Sequence, residues 1–247
     1  MIEVRRLGHA TLTTPDLDRQ IAYYTEVVGL TLLERDSKRA VLASKQGFEA
    51  IALEPGVSNA LSRLAFQVAP GTDLADVTRE LERHGVKSER RGGISPGVTE
   101  AIVFKDPKDA LIEVFSEYVF AGEDPVQACI MPLKLGHVAY RVNDVQRVVK
   151  FYTDVLGFRV SDWRDETFAF LRCGPDHHPS PSRVAEGCTK LVVIVTVVSG
   201  KPKHERLATL LVADIDVTQA AQVANGDLAV GIEAVAADAV VKLGLGC

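Results

Sequence analysis

Two stretches of the chain repeat one another: LGHATLTTPDLDRQIAYYTEVVGL at residues 7–30 and LGHVAYRVNDVQRVVKFYTDVLGF at residues 135–158. They lie 128 residues apart, and nine of their twenty-four positions are identical without a gap. Chance similarity of that density is rare, so the 247-residue chain is interpreted as two related halves. The segment between residues 117 and 132, with the run GEDPVQACIMP, has the glycine, proline and charge typical of a break.

Each copy has the residue pattern of a strand followed by a helix. In the second copy, residues 135–142 form the predicted strand, and Asn143-Asp144 is a pair suited to capping the start of a helix. Apolar residues then recur at spacings of four, three and four, which is typical of one buried helix face. These residues are Val145, Val149, Tyr152 and Leu156. Gly157 suits the end of the helix, and the first copy follows the same pattern.

A weaker half-period lies inside the first half. Residues 63–68 resemble an opening strand, and Thr72 or Asp73 is placed to cap a helix that ends at Gly85. The predicted buried face of this helix consists of Leu74, Val77 and Leu81. Further strands are predicted near residues 99–104 and 110–115. Residues 1–117 therefore indicate two βαβββ units in tandem.

Composition and charge limit the classes of function. A hydrophobic fraction of 47% is sufficient for a core, and a net charge of −5 argues against nucleic-acid binding, which needs a basic surface. The first residues have no apolar segment typical of a secretory signal. The longest nearly apolar run, residues 191–198, is far shorter than the roughly 20 residues of a membrane span. We expect a cytoplasmic protein that binds neither nucleic acid nor membrane.

The opening strand LGHV, the helix end FYTDVLGF and the run FLRCGPDHH at residues 170–178 together resemble the vicinal oxygen chelate superfamily. Within this superfamily, the tandem duplication and the DHH run resemble the two-domain type I extradiol (catechol 2,3-type) dioxygenases. The resemblance covers roughly residues 5–178. It implies an α+β fold in which tandem βαβββ modules form two cup-shaped domains. The expected domains are 1–120, without a complete metal site, and 132–247, family-like to about 178 and atypical afterwards.

The resemblance also implies a metal site in the second domain. In the family, two histidines and one glutamate hold Fe(II) on one face and leave open positions for a catecholate and O₂. His137 matches the first ligand, and His178 matches the histidine that acts as acid and base. In the first half, His9 and Glu113 match ligand positions, but Arg63 stands at the middle one and cannot ligate a cation. We therefore interpret the first site as vestigial.

Two expected ligands are missing from the second half. Position 193, where the second histidine is expected, is a valine, and no glutamate stands in a matching final strand. His204 and Glu233 are spare candidates without the expected neighbours. All fifteen aromatic residues lie at or before Phe170, so the last seventy-seven residues contain none. Either this segment has diverged while still completing the cup, or the reading frame was lost after His178, which resequencing of the gene and translation of the other frames would test.

The leading functional hypothesis is ring cleavage of a catechol-type aromatic diol, with O₂ as the second substrate and Fe(II), or alternatively Mn(II), as the metal. His137 would ligate the metal, and His178 would be the catalytic acid–base residue. Two alternatives stay open: an inactive or truncated paralogue that keeps the fold, and a glyoxalase-like or resistance-type member of the same superfamily. The resemblance further predicts a homo-oligomer.

Overall fold

The computed structural model describes residues 1–124, 132–164, 168–173, 194–199, 232–236 and 239–245. The first half begins with strand β1 (Val4–Thr14), helix α1 (Leu17–Ala22) and a π-helical turn (Tyr23–Val27). Strands β2 (Thr31–Arg35), β3 (Ala40–Ala43) and β4 (Glu49–Pro55) complete the first βαβββ unit. The second unit consists of β5 (Ala60–Val68), α2 (Leu74–Arg83), β6 (Ser88–Gly92), β7 (Glu100–Lys105) and β8 (Leu111–Phe115).

The second half opens with the same sequence of elements. Strand β9 (Pro132–Val142) leads into helix α3 (Val145–Asp154), and β10 (Arg159–Arg164) and β11 (Phe168–Arg172) follow. Three further strands are β12 (Ile194–Ser199), β13 (Ile232–Ala236) and β14 (Ala239–Leu245). The mixed α+β class and the βαβββ fold expected from the sequence are confirmed.

Helices α1, α2 and α3 begin where short polar side chains cap them. Asp16, Asp73 and Asp144 each accept a hydrogen bond from a backbone amide in the first turn of the following helix. Helix α2 buries Leu74, Val77 and Leu81, as its periodicity predicts. Helix α1 differs from its predicted course, because it widens into the π-helical turn, where the Thr25 hydroxyl donates to the Ile21 carbonyl at 2.9 Å.

The first sheet has eight strands in the order β2-β3-β4-β1-β5-β8-β7-β6, and the second has six in the order β10-β11-β12-β9-β14-β13. In the first sheet, β1 pairs with β4 in parallel and with β5 in antiparallel orientation, and β5 pairs with β8 in parallel. The two opening strands therefore lie side by side at its centre. In the second sheet β9 has the corresponding place, since it pairs with β12 in parallel and with β14 in antiparallel orientation.

One hydrophobic core joins residues from both halves. At its centre the ring of Phe66 on β5 makes edge contacts with Tyr152 of α3 and with Phe158, at 6.2 and 5.4 Å between ring centroids. Tyr152 is fully buried, and its hydroxyl donates to Asp106 of the first half at 3.2 Å. Tyr152 and Phe158, which belong to the second copy of the sequence repeat, thus pack between the two halves.

Candidate functional site

Three adjacent strands of the first sheet bring together the residues that the family resemblance matched to the positions of a metal site. His9 lies on β1, Arg63 on β5 and Glu113 on β8. The Nε2 atom of His9 is 3.4 Å from Oε2 of Glu113, and Nε of Arg63 is 3.0 Å from Oε1 of the same carboxylate. His9 and Glu113 are each only 3% exposed. The three side chains therefore form one cluster, in which His9 and Glu113 are buried and Arg63 is partly exposed.

Arg63 determines the chemistry of this cluster. Besides Glu113, its guanidinium binds both carboxylate oxygens of Glu54 on β4, with one of the two contacts at 3.2 Å. A guanidinium has no lone pair to offer a metal ion and adds a positive charge beside Glu113. The other oxygen of Glu113 is buried without a hydrogen-bond partner and faces His9. The residues present in the first half do not fit a divalent metal.

Glu49, at the start of β4, is a member of the cluster that the sequence interpretation missed. Its carboxylate is 2% exposed, accepts a hydrogen bond from the Gly97 amide at 2.6 Å and accepts another from the Ser95 hydroxyl. One of its oxygens is 4.0 Å from Nδ1 of His9, so the imidazole lies between two buried carboxylates. A charged residue that opens the apolar run EAIAL was the available signal.

Residues 116–124 form a segment, here called the strap, that crosses the same sheet after β8. The Tyr118 hydroxyl donates to the Gly47 carbonyl at 2.8 Å and accepts from the Glu49 amide at 2.6 Å. Asp124 anchors the far end, since its side chain accepts from Lys45 and Thr31 at 2.7 and 2.6 Å. Burial raises the pKa of Tyr118 to about 12. The strap is thereby fixed to the strands that carry the cluster.

The guanidinium of Arg6 lies among aromatic rings beneath the strap. Its central carbon is 5.0 Å from the Tyr118 ring centroid, 5.1 Å from that of Phe48 and 6.0 Å from that of Phe115. Burial lowers the pKa of Arg6, and the nearby Tyr118 and Glu49 oppose that shift. The interior of the first sheet is thus occupied by its own charged and aromatic side chains.

In the second half, His137 lies on β9 at the place that His9 has on β1. The backbone of His137 pairs with Ile194 of β12 and with Lys242 of β14. In the first sheet Arg63 pairs with Thr11, two residues after His9. The residue that pairs with Ala139, two residues after His137, is Val240. A valine cannot ligate a metal, so the register supplies no second ligand on β14.

Strand β12 changes the interpretation of the missing second histidine. The resemblance predicted the second histidine at position 193, inside a strand about fifteen residues after His178. Strand β12, which begins at Ile194, pairs with β9 in parallel, as β4 pairs with β1, so it takes the place of the last strand of the third unit. Position 193, His178 and His204 lie outside the described residues. Glu233 on β13 pairs with Lys242, which separates it from His137 by one strand.

The described residues contain neither a complete metal site nor a membrane-spanning helix. In the ranges given above, no three His, Cys, Asp or Glu side chains lie close enough together to hold a metal ion. No helix in those ranges is both long and apolar enough to span a bilayer. The structure therefore places His137 on the expected strand, and the described part supplies no full set of ligands around it.

Paired βαβββ units around a central opening strand define the class of this protein, and comparison with known proteins gives its family. The family model for the "Glyoxalase/Bleomycin resistance protein/Dioxygenase superfamily" matches residues 6–114 and 134–226. The chain belongs to this superfamily. The match includes one region in each half, as the sequence repeat requires.

Curated relatives of the chain have several activities. It is 24% identical over 212 residues to a catechol-2,3-dioxygenase of Bacillus subtilis, covering 71% of this chain and 73% of the relative. It is 28% identical to a 2,2',3-trihydroxybiphenyl dioxygenase of Sphingomonas paucimobilis, covering 72% and 65%. A lactoylglutathione lyase of Arabidopsis thaliana is 27% identical, covering 63% and 56%. The chain thus spans between about half and three quarters of the length of these relatives.

Solved structures show the same fold. The Mn(II)-bound glyoxalase from Novosphingobium aromaticivorans superposes with a TM-score of 0.68 at 25% identity, covering 82% of this chain and 64% of that one. A 2,3-dioxygenase from a Pseudomonas species superposes with a TM-score of 0.65 at 21% identity, covering 81% and 71%. At this identity the second likeness concerns the fold alone.

Proposed function

We propose that the protein is an extradiol dioxygenase that opens the ring of a catechol-type aromatic diol with O₂. The observation that carries the proposal is His137, which lies on the opening strand of the third βαβββ unit at the place of His9 in the first. Membership of the superfamily supports it, as do relatives named for cleavage of catechol and of trihydroxybiphenyl. The proposed metal is Fe(II), with Mn(II) as the alternative, and the proposed setting is a cytoplasmic homo-oligomer.

Two residues have roles in this proposal. His137 would contribute an imidazole to the metal, and the metal would supply Lewis-acid activation of the diol and of O₂ when bound. His178 takes the proton from a diol hydroxyl, because a histidine changes charge near neutral pH. One candidate ligand is not a complete metal site.

The test of the proposal begins with metal content. The wild-type protein and His137→Ala are purified without oxygen in the presence of Fe(II), with His84→Ala as the matched histidine control because His84 lies at the exposed end of α2. We expect iron in the wild type and in the control, and its loss from His137→Ala. Admission of air with catechol or 2,3-dihydroxybiphenyl should then produce a yellow ring-opened product only where iron is bound.

Each other result has a distinct meaning. Full iron occupancy without colour rejects ring cleavage, and iron retained by His137→Ala rejects the ligand assignment. A wild-type protein that binds no iron is the inactive paralogue, an alternative favoured by Val240 at the register position where Arg63 stands in the first sheet.

The second candidate function is a glyoxalase-like isomerase, which the lactoylglutathione lyase relative and the Mn(II)-bound glyoxalase structure favour. Both enzyme classes use the same fold, so the substrate separates them. Turnover of a glutathione hemithioacetal, with no yellow product from catechol, would assign the isomerase. The reverse result would assign the dioxygenase.

A further inference from the structure

A cleft of about 740 Å³ lies between the two halves. One wall is the end of α2 with β6 and β7, and the opposite wall is helix α3. This volume is in the range of sites for small organic molecules. Neither His137 nor the cluster around Arg63 contributes to it.

Two aromatic rings, one from each half, contribute to the apolar part of the cleft. Phe104 on β7 and Phe151 on α3 have ring centroids 6.3 Å apart with 51° between their planes. Phe104 is buried and Phe151 is half-buried, so Phe151 keeps an accessible ring surface. Such a surface favours a planar apolar ligand, which can stack against it.

The side chains around these rings are mainly cationic, although the chain as a whole carries a net charge of −5. Five lysine and arginine residues line the cleft against three acidic residues. The five are Lys87, Arg91, Lys105, Arg147 and Lys150. A concentration of one charge sign in a concave site attracts ligands of the opposite sign.

Most of these charges are already balanced. Arg91 pairs with Glu89 at 2.8 Å, Lys150 pairs with Asp154, and Lys105 lies 3.7 Å from Asp109. Within the described part of the chain, the side chains of Lys87 and Arg147 have no ion pair. Lys87 follows α2 in the first half and Arg147 belongs to α3 in the second. The two cations that are available to a ligand therefore belong to opposite walls.

The acid at the base of the cleft does not compete for them. Asp106 is 5% exposed, and one of its oxygens accepts the amides of Lys108 and Ala110 at 2.9 and 3.0 Å. Its other oxygen accepts the hydroxyl of Tyr152 at 3.2 Å. These bonds orient the carboxylate toward the protein interior.

We propose that this cleft is a second ligand site, which binds a small aromatic anion with its ring against Phe151 and its anionic group between Lys87 and Arg147. A guanidinium and an ammonium on opposite walls suit a carboxylate or a phosphate. Because the ligand contacts both halves, its binding stabilises their association. The site contains none of the residues assigned to ring cleavage, so the two proposals stand or fall separately.

The test measures binding of 2-naphthoate to the full, metal-free chain by fluorescence titration. We expect Lys87→Gln and Arg147→Gln each to weaken binding roughly tenfold, because each removes one charge-assisted hydrogen bond. Lys38→Gln is the matched control, since Lys38 is exposed and lies outside the cleft. Circular dichroism and the melting temperature check that the variants keep the fold.

Two related ligands identify the anion. Uncharged 2-naphthol should bind far more weakly than 2-naphthoate, and 2-naphthyl phosphate shows whether a phosphate or a carboxylate is preferred. The proposal is overturned if the wild type binds neither anion. It is also overturned if the Lys87→Gln/Arg147→Gln double variant binds as well as the wild type, or if 2-naphthol binds as tightly as 2-naphthoate.

Discussion

At the scale of single residues, Arg63 decides what the first half can bind. Its guanidinium balances the carboxylates of Glu54 and Glu113, and Glu113 is almost fully buried. The positive charge of the Arg63 side chain thus lies at one of the positions where the family resemblance predicted a metal ligand. The stability of the first sheet should therefore depend on this side chain, since an unpaired buried carboxylate is costly.

We expect Arg63→Met to lower the free energy of unfolding by about 3 kcal/mol, because it leaves Glu113 buried without its cation. Urea denaturation followed by circular dichroism measures the loss. Adding Glu113→Leu to this variant should recover part of it, since an apolar pair of similar volume needs no counter-charge.

The matched control is Arg90→Met. Arg90 also pairs with a glutamate, Glu100, but both side chains are exposed. An exposed pair contributes little, so this variant should unfold at the same urea concentration as the wild type. Equal losses in the Arg63 and Arg90 variants would contradict the role assigned to Arg63.

Some residues of this cluster could be predicted from the sequence, and others could not. The repeat aligned His9 with His137, and the family resemblance placed Arg63 and Glu113 at the other two positions of the same site. The repeat could not predict Glu54 as a partner of Arg63 or Glu49 as a neighbour of His9. Those contacts depend on how side chains of β4 pack against side chains of β1 and β5. Such packing produces no periodic pattern in the sequence.

At the scale of elements, local signals were sufficient for helices α2 and α3 and insufficient for the strap. The caps at Asp73 and Asp144 and the apolar spacing that follows them are encoded within a few residues. The strap has no regular hydrogen-bond pattern, and its course is set by distant partners such as Gly47 and Lys45. Segments of this kind are determined by tertiary contacts.

Tyr118 gives the strap a dependence on pH. Its pKa is raised from the ordinary value of 10.0 to about 12, mainly because burial disfavours the phenolate. The fold therefore favours the protonated form, and the resulting stabilisation is complete below pH 10 and is lost as the pH rises toward 12. We expect the unfolding free energy of Tyr118→Phe to fall less steeply over this interval than that of the wild type.

At pH 7 the same variant should be less stable by roughly 1 to 2 kcal/mol, because the Gly47 carbonyl and Glu49 amide lose their shared partner. Tyr23→Phe is the control at pH 7, since no hydrogen bond is found for the Tyr23 hydroxyl among the described residues. Identical stabilities at pH 7 together with parallel pH curves would show that Tyr118 does not hold the strap.

At the scale of the whole molecule, backbone contacts join the beginning of the chain to the second half. The amides of Ile2 and Val4 donate to the carbonyls of Val155 and Leu156 at 2.8 and 3.2 Å. Gly157 lies directly beside this contact with a φ of +73°, and a Cβ there would be 2.5 Å from the Ile2 carbonyl oxygen. The helix-end glycine of the repeat thus also permits the two halves to meet.

Gly157→Ala should destabilise the protein for two reasons, the left-handed backbone and the collision with Ile2. Gly85→Ala measures the backbone effect alone. Gly85 has a φ of +71°, but no atom lies within 4 Å of the position that its new methyl group would take. We expect Gly85→Ala to cost about 1 kcal/mol and Gly157→Ala roughly 2 kcal/mol more, as measured by urea unfolding. Equal costs would show that the Ile2 backbone moves to accommodate the new methyl group without a loss of stability.

The strand order β2-β3-β4-β1-β5-β8-β7-β6 arranges the two βαβββ units of the first half symmetrically in one sheet. Its two halves are mirror-ordered about the antiparallel pair β1–β5, as in a symmetric dimer of two units. Covalent linkage replaces an association that would depend on concentration with one that does not. It also allows the two units to differ in sequence, so that strand β1 carries a histidine at position 9 while strand β5 carries an arginine at position 63. The identical chains of a homodimer could not differ in this way.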